Sequence, residues 1–259
     1  MGEKFVIDIP MRTKGALDRN TLLSLNTEKK GKAFCAQDME GLNHGPAGGS
    51  AGRNSAGEAV PGRTEKAPVQ MRIPALAHPI RKGQKVPLSL NGPVRQVDVC
   101  LGWNSADARC DVDVSAFLLG PDGNVPGDDW FVFYGQEKSP DGKVVFEVDG
   151  VTDREVIRLD LEGLNPGVKK AVFVLTINEA AEKGLNFGML KDAYIRILDH
   201  GNRTELVSFQ MTDYYTNVIS MMIGELYLHN GSWKFHGIGN GVAKDLAGLC
   251  KMYGVRVSG

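Results

Sequence analysis

Carboxylates crowd the middle of the chain: Asp107, Asp111, Asp113, Asp128 and Asp129, then Asp149, Asp153 and Glu155. Acids gathered in loops repel one another unless something positive sits among them. Calcium would suit such a set, because it takes roughly six to eight oxygens at about 2.3–2.6 Å from carboxylates, carbonyls and amides. Magnesium would keep more water and ask for fewer protein oxygens. Asp111 and Asp113 stand two apart, so on a strand both carboxylates would face one side. The plainer reading, that these acids solvate loop tips, stands beside the metal reading at this point.

Other chemistries find less support. No twelve-residue D-x-D-x-D-G loop with a closing Glu is present, which excludes an EF-hand. Asp111-Val112-Asp113-Val114-Ser115 loosely matches the DxDx[TV] nucleophile of haloacid-dehalogenase-type phosphatases. That nucleophile must end a buried parallel strand. Here the apolar run Ala116-Phe117-Leu118-Leu119 follows the motif instead of preceding it, so an Asp-nucleophile phosphatase is a remote alternative. His44, His78, His200, His229 and His236 are scattered without zinc-site spacing, and Cys35, Cys100, Cys110 and Cys250 contain no CxxC pair. Buried, reduced thiols are expected. Gly237-Ile238-Gly239-Asn240-Gly241 lacks the spacing of a phosphate loop and reads as a structural turn before a last helix. No G-x-S-x-G elbow marks a serine nucleophile. The chain is expected not to be an enzyme.

The elements that must position these groups are mostly strands. Val94–Leu101 alternates Val97, Val99 and Leu101 with Gln96, Asp98 and Cys100, the pattern of a half-buried strand. Further strands are expected at 112–119, 130–134, 143–148, 155–161, 171–177, 193–198, 205–209, 220–228 and 233–237. About ten strands require two packed sheets, so the fold class is an all-β sandwich. Pro121-Asp122-Gly123-Asn124, Ser139-Pro140-Asp141-Gly142 and His229-Asn230-Gly231 supply turn residues suited to positive φ. Helix is expected only at 179–184 and at 242–253, where Leu246, Leu249, Cys250 and Tyr253 recur at helical spacing.

With 259 residues, 30 basic and 31 acidic, the formal charge is -1, and no global field draws the protein to nucleic acid or to anionic lipid. No apolar run of about eighteen residues is present, so membrane insertion is not expected. Met1 to Pro10 lacks a signal-peptide pattern, and a cytoplasmic protein is expected. Three regions are expected: an N-terminal extension at 1–43, a flexible Gly/Ala/Pro-rich linker at 44–72, and the β-sandwich at 73–259. From His44 to Gly62 there are six glycines, four alanines and two prolines without one aromatic, Leu or Ile, too little apolar surface to offset ordering.

Leu101-Gly102-Trp103-Asn104 and Asp111-Val112-Asp113-Val114-Ser115-Ala116-Phe117-Leu118-Leu119 resemble the GLGWD and DLDASAFLL segments of the tellurium-resistance (TerD) family. Trp130-Phe131-Val132-Phe133-Tyr134 with Lys138-Ser139-Pro140-Asp141-Gly142, then Asn186-Phe187-Gly188, Ala193-Tyr194-Ile195-Arg196 and Gly224-Glu225-Leu226-Tyr227, are similar to its later segments, in the same order. The resemblance covers about Ile80 to Val255. It implies a β-sandwich that binds Ca2+ in acidic loops at one end, a cytoplasmic location, and a stress-response role exerted through protein partners. Carried over position by position, Asp111 and Asp113 fall on the family's metal-binding DxD. Asn104 stands where the family has Asp. Asp149 corresponds to the opening of the family's long acidic loop, and Asp153 and Glu155 to its close. That loop is shortened here and gains Arg154, so weakened binding, of one calcium ion, is expected. The alternative is a metal-free sandwich acting as an interaction scaffold.

Overall fold

Runs rich in Val, Ile, Leu and Phe, interrupted by Gly, Asn and Asp, fold as eleven strands in two antiparallel sheets. The computed structural model describes residues 70–88 and 94–258, together with the backbone of β1 (Leu17–Asp18), which pairs in parallel with β13 (Val257–Ser258). Apart from the backbone of Leu17–Asp18, the expected extension at 1–43 lies outside the described residues, as does the expected linker at 44–72 up to residue 69. The five-stranded sheet runs β10 (Glu205–Gln210), β9 (Leu190–Asp199), β3 (Gln96–Ser105), β7 (Glu155–Asp160) and β6 (Val144–Val148). The six-stranded sheet runs β2 (Lys85–Pro87), β12 (Ser232–Val242), β11 (Ser220–His229), β8 (Lys170–Ile177), β4 (Val112–Leu119) and β5 (Phe131–Phe133).

Every residue of β4 is buried, which a one-sided sheet would not require. The cause is a second layer. Helix α2 (Leu246–Met252) lies over the outer face of the six-stranded sheet, where the Phe117 ring stacks on Phe131 at 4.5 Å and meets Tyr253 at 4.6 Å. Alternation then leaves Val114, Ala116 and Leu118 for the face between the sheets. Burying a side chain such as Phe117 contributes about 1.5–3 kcal/mol, and an aromatic pair about 0.5–1.5 kcal/mol more. Asp245 starts the helix by accepting a hydrogen bond from Gly248 N at 2.8 Å. A four-residue helix, α1 (Ala180–Lys183), follows β8.

The turn chemistry is realised as positive φ at Gly123, Gly142, Asn230 and Gly231. Asn230 and Gly231 close the two-residue hairpin between β11 and β12, the connection whose twist suits its strands.

The structure corrects three expectations. Gly237 to Gly241 is not a turn but the second half of β12, and α2 begins four residues after Val242. These glycines serve packing: a Cβ at Gly241 would meet Val218 at 2.5 Å and one at Gly237 would meet Phe209 at 3.0 Å. Asp111 precedes β4 instead of lying on it, so it does not share a strand face with Asp113. Finally, the polar side of β3 is not solvated, because Asp98 and Cys100 are both fully buried. Arg158 and Arg203 ion-pair with Asp98, and His200 Nδ1 lies 3.1 Å from both its oxygens.

Candidate functional site

The antiparallel pairing of β4 with β8 brings Asp113 opposite Thr176, with Ser115 one step along the same face. Beyond the end of β5, Tyr134 stands against this edge, and its phenol is pushed well above the usual range. Burial is the main cause, followed by the negative charges of Asp113, Asp111 and Glu155. These three carboxylates therefore share one rim of the sandwich. Glu155, first residue of β7, is buried, and its Oε2 accepts a hydrogen bond from Val114 N at 2.8 Å. Asp111 enters through the loop before β4, which is held by Asn178 N donating to Asp111 O at 2.8 Å.

The other expected ligands are engaged within the protein. Asp153 is fully buried; its Oδ1 accepts from Tyr194 Oη at 2.8 Å and Arg196 Nε at 3.0 Å, and its Oδ2 from Arg196 Nη2 at 2.7 Å. Asp149 Oδ2 accepts from the backbone of Thr152 at 3.2 Å and Asp153 at 2.9 Å, which closes the shortened loop upon itself. Asn104 accepts from Met71 N at 2.7 Å and donates to Met71 O and to Asp192, each at 3.1 Å. Arg154 donates to Trp103 O at 2.7 Å and lies 5.3 Å over the Trp103 ring, within electrostatic reach of Glu155. Asp107 pairs with Arg109 and Asp128 with Arg256.

Hence the six expected ligands do not converge on one point, and among the described residues no group of three or more His, Cys, Asp or Glu stands close enough to hold a metal ion. Asp111, Asp113 and Glu155 are carboxylates of the right chemistry at one end. Asn104 and Asp153 have their side-chain oxygens already occupied, and Asp149 has its Oδ2 engaged by two loop amides.

Next to this rim a small cleft of about 70 Å³ lies on the outer face of the six-stranded sheet. Its floor is Asp113, Ser115 and Thr176; α1 forms one wall, the start of α2 another, and Phe133 with Tyr134 a third. Glu179, Glu182, Ser115, Thr176 and Asp245 were not reached by sequence reasoning as site residues. Only Asp245 carries a local signal, the cap of a helix; the others meet through strand pairing and loop packing. The DxD motif begins at the start of an antiparallel strand, the opposite end from the one the phosphatase mechanism uses.

Comparison with known proteins places this architecture. Residues 76–253 match the TerD domain family. The tellurium resistance protein TerD of Alcaligenes sp is 39% identical over 188 residues, covering 69% of this chain and 98% of that protein. General stress protein 16U of Bacillus subtilis is 35% identical over 188 residues, covering 69% and 97%. The crystal structure of SAV2460, a protein of unknown function, superposes with a TM-score of 0.51 at 20% identity, covering 63% of this chain and 98% of its own, and supports the fold.

Proposed function

We propose, from the premise that the chain belongs to the TerD domain family, that it is a binding module of a tellurium- and stress-resistance system, working in the cytoplasm as an adaptor or sensor for protein partners and not as a catalyst. The names of its relatives, a tellurium resistance protein and a general stress protein, support the setting. The observation that carries the site is the 2.8 Å hydrogen bond from Val114 N to Glu155 Oε2, which brings Glu155 beside Asp113 and the loop that holds Asp111. In this reading one calcium ion binds weakly at that rim, with water completing a shell for which the protein offers few oxygens.

A ligand that binds only the folded state raises its stability by mass action. Calorimetric titration of chelator-treated protein tests the reading. The expected result is a small heat and a thermal shift only at millimolar calcium, both removed by Asp113→Asn with Glu155→Gln. Absence of both in the native sequence excludes calcium. The second reading, a metal-free scaffold, is favoured by the Asp153 pair with Arg196 and Tyr194, which closes the loop without any ion. It predicts one melting temperature with and without chelator.

A further inference from the structure

Helix α2 lies over Phe117 and Phe131 on the outer face of the six-stranded sheet. Further along the same face, toward β2, the strand register collects basic side chains around one ring. Lys170 and Lys234 flank Tyr227 in one row across β8, β11 and β12. Lys85, opposite His236 in the next row, brings its Nζ to 5.7 Å from the centre of the Tyr227 ring. Residues paired across neighbouring strands share a face, here the one opposite the fully buried Leu226 and Phe235.

Glu225 is the one acid in these two rows, and it is engaged: Lys170 Nζ lies 2.9 Å from its Oε2 and His236 Nδ1 3.1 Å from its Oε1. Among the described residues neither Lys85 nor Lys234 has an ion-pair partner. Three like charges around one ring repel, a cost that a bound anion would relieve. The strands are paired on both sides of Tyr227, so the lysines are carried on a rigid support.

The arrangement fixes the kind of anion. Small-molecule sites are concave, whereas this is an open sheet face, which suits an extended chain. From β8 to β2 is three strand spacings, about 14 Å, the length of four or five residues of extended peptide. One aromatic ring is too few for single-stranded nucleic acid, which stacks successive bases on several rings along a positively charged groove.

We propose that this patch docks an acidic extended segment of a partner protein, with carboxylates on Lys85 and Lys234 and an aromatic side chain on the Tyr227 ring. The choice of a protein partner rests on the adaptor reading. The patch shares no residue with the calcium rim, since Lys170 and Thr176 stand six residues apart on β8, about 20 Å.

Fluorescence anisotropy of the full chain with a labelled peptide Glu-Glu-Phe-Glu-Glu tests the proposal, beside peptides in which Gln or Lys replaces every Glu. The expected result is saturable binding of the acidic peptide alone, with a Kd below about 1 mM at about 50 mM salt and about fivefold weaker at about 300 mM. Lys85→Glu combined with Lys234→Glu should weaken it by about tenfold or more at an unchanged melting temperature, because neither lysine has an ion pair to lose. No saturable binding of the acidic peptide, equal binding of the Gln peptide, or native-like binding by the double variant overturns the proposal. Tighter binding of an oligothymidylate through the same two lysines also overturns it, by assigning the patch to nucleic acid. Peptide binding beside a flat calcium titration keeps this surface and removes the metal; a calcium response without peptide binding removes this surface alone.

Discussion

Val114 N donates a 2.8 Å hydrogen bond to Glu155 Oε2, so the first residue of β7 in one sheet is fastened to β4 in the other. Both residues are buried, and the carboxylate takes the backbone donor at a point beyond the reach of β5, whose pairing with β4 starts at Ser115. Glu155→Ala should therefore cost about 1–3 kcal/mol in urea unfolding, since it strands that amide. Glu155→Gln keeps an acceptor oxygen and should cost about 1 kcal/mol or less. Equal losses for the two variants would show that the bond does not matter.

A larger penalty belongs to the Asp153 and Arg196 pair. Asp153 has no exposed surface and Arg196 is 11% exposed at its side chain, so removing the acid leaves a guanidinium inside the protein without its partner. Asp153→Ala is expected to lower stability by about 3–5 kcal/mol. Asp153→Leu combined with Arg196→Met should recover much of that loss, because an apolar pair of similar volume avoids the unpaired charge. Urea midpoints of the native protein, the double variant and its two singles decide it, and a double variant as weak as the sum of its singles contradicts the pairing.

Acid should remove part of the stability through Asp98. Burial pushes its carboxyl upward, but hydrogen bonds from His200 and Arg158, with their charges, outweigh burial and hold it below the ordinary 3.8. A carboxyl whose folded value is depressed contributes stability above its unfolded value and loses it as pH falls through the folded one. The melting temperature should therefore drop as pH falls below about 4, and this part of the acid slope should be absent in Asp98→Asn, which will be less stable at neutral pH. A slope unchanged by that substitution excludes Asp98 as its source.

The buried thiols of Cys100 and Cys250 should be unreactive in the native state. Burial pushes Cys250 up to about 12 and Cys100 still further, while Cys110 is half-buried and raised less. Thiolate is the attacking species, so alkylation at pH 8 should label Cys110 ahead of Cys100 and Cys250, which react only after unfolding. Mass spectrometry of peptides from a timed reaction reads the order.

The strands and turns were legible because they rest on local chemistry. Val112–Leu119 is bounded as expected, and Asn230-Gly231 turns where its φ preference requires. The run from Gly237 to Gly241 misled because glycine is ambiguous in sequence: here it makes room for Phe209 and Val218 within a strand. The outer face of β3 was misread for a related reason, since only the folded chain brings Arg158, Arg203 and His200 over Asp98. The acids of the rim were visible as residues. Which of them are spent on Arg196 or Met71 depends on partners at 33 to 43 positions' distance, beyond the range of any local pattern.

The borders of the six-stranded sheet are three-residue strands, Lys85–Pro87 on one side and Phe131–Phe133 on the other. Pro87 has no amide proton to offer and Lys85 brings a charge. The five-stranded sheet is guarded at β10, where Ile80 N donates to Ser208 O at 2.8 Å. An extended segment from a neighbouring molecule thus finds few open rungs along these edges, which lowers the risk of one sheet templating another.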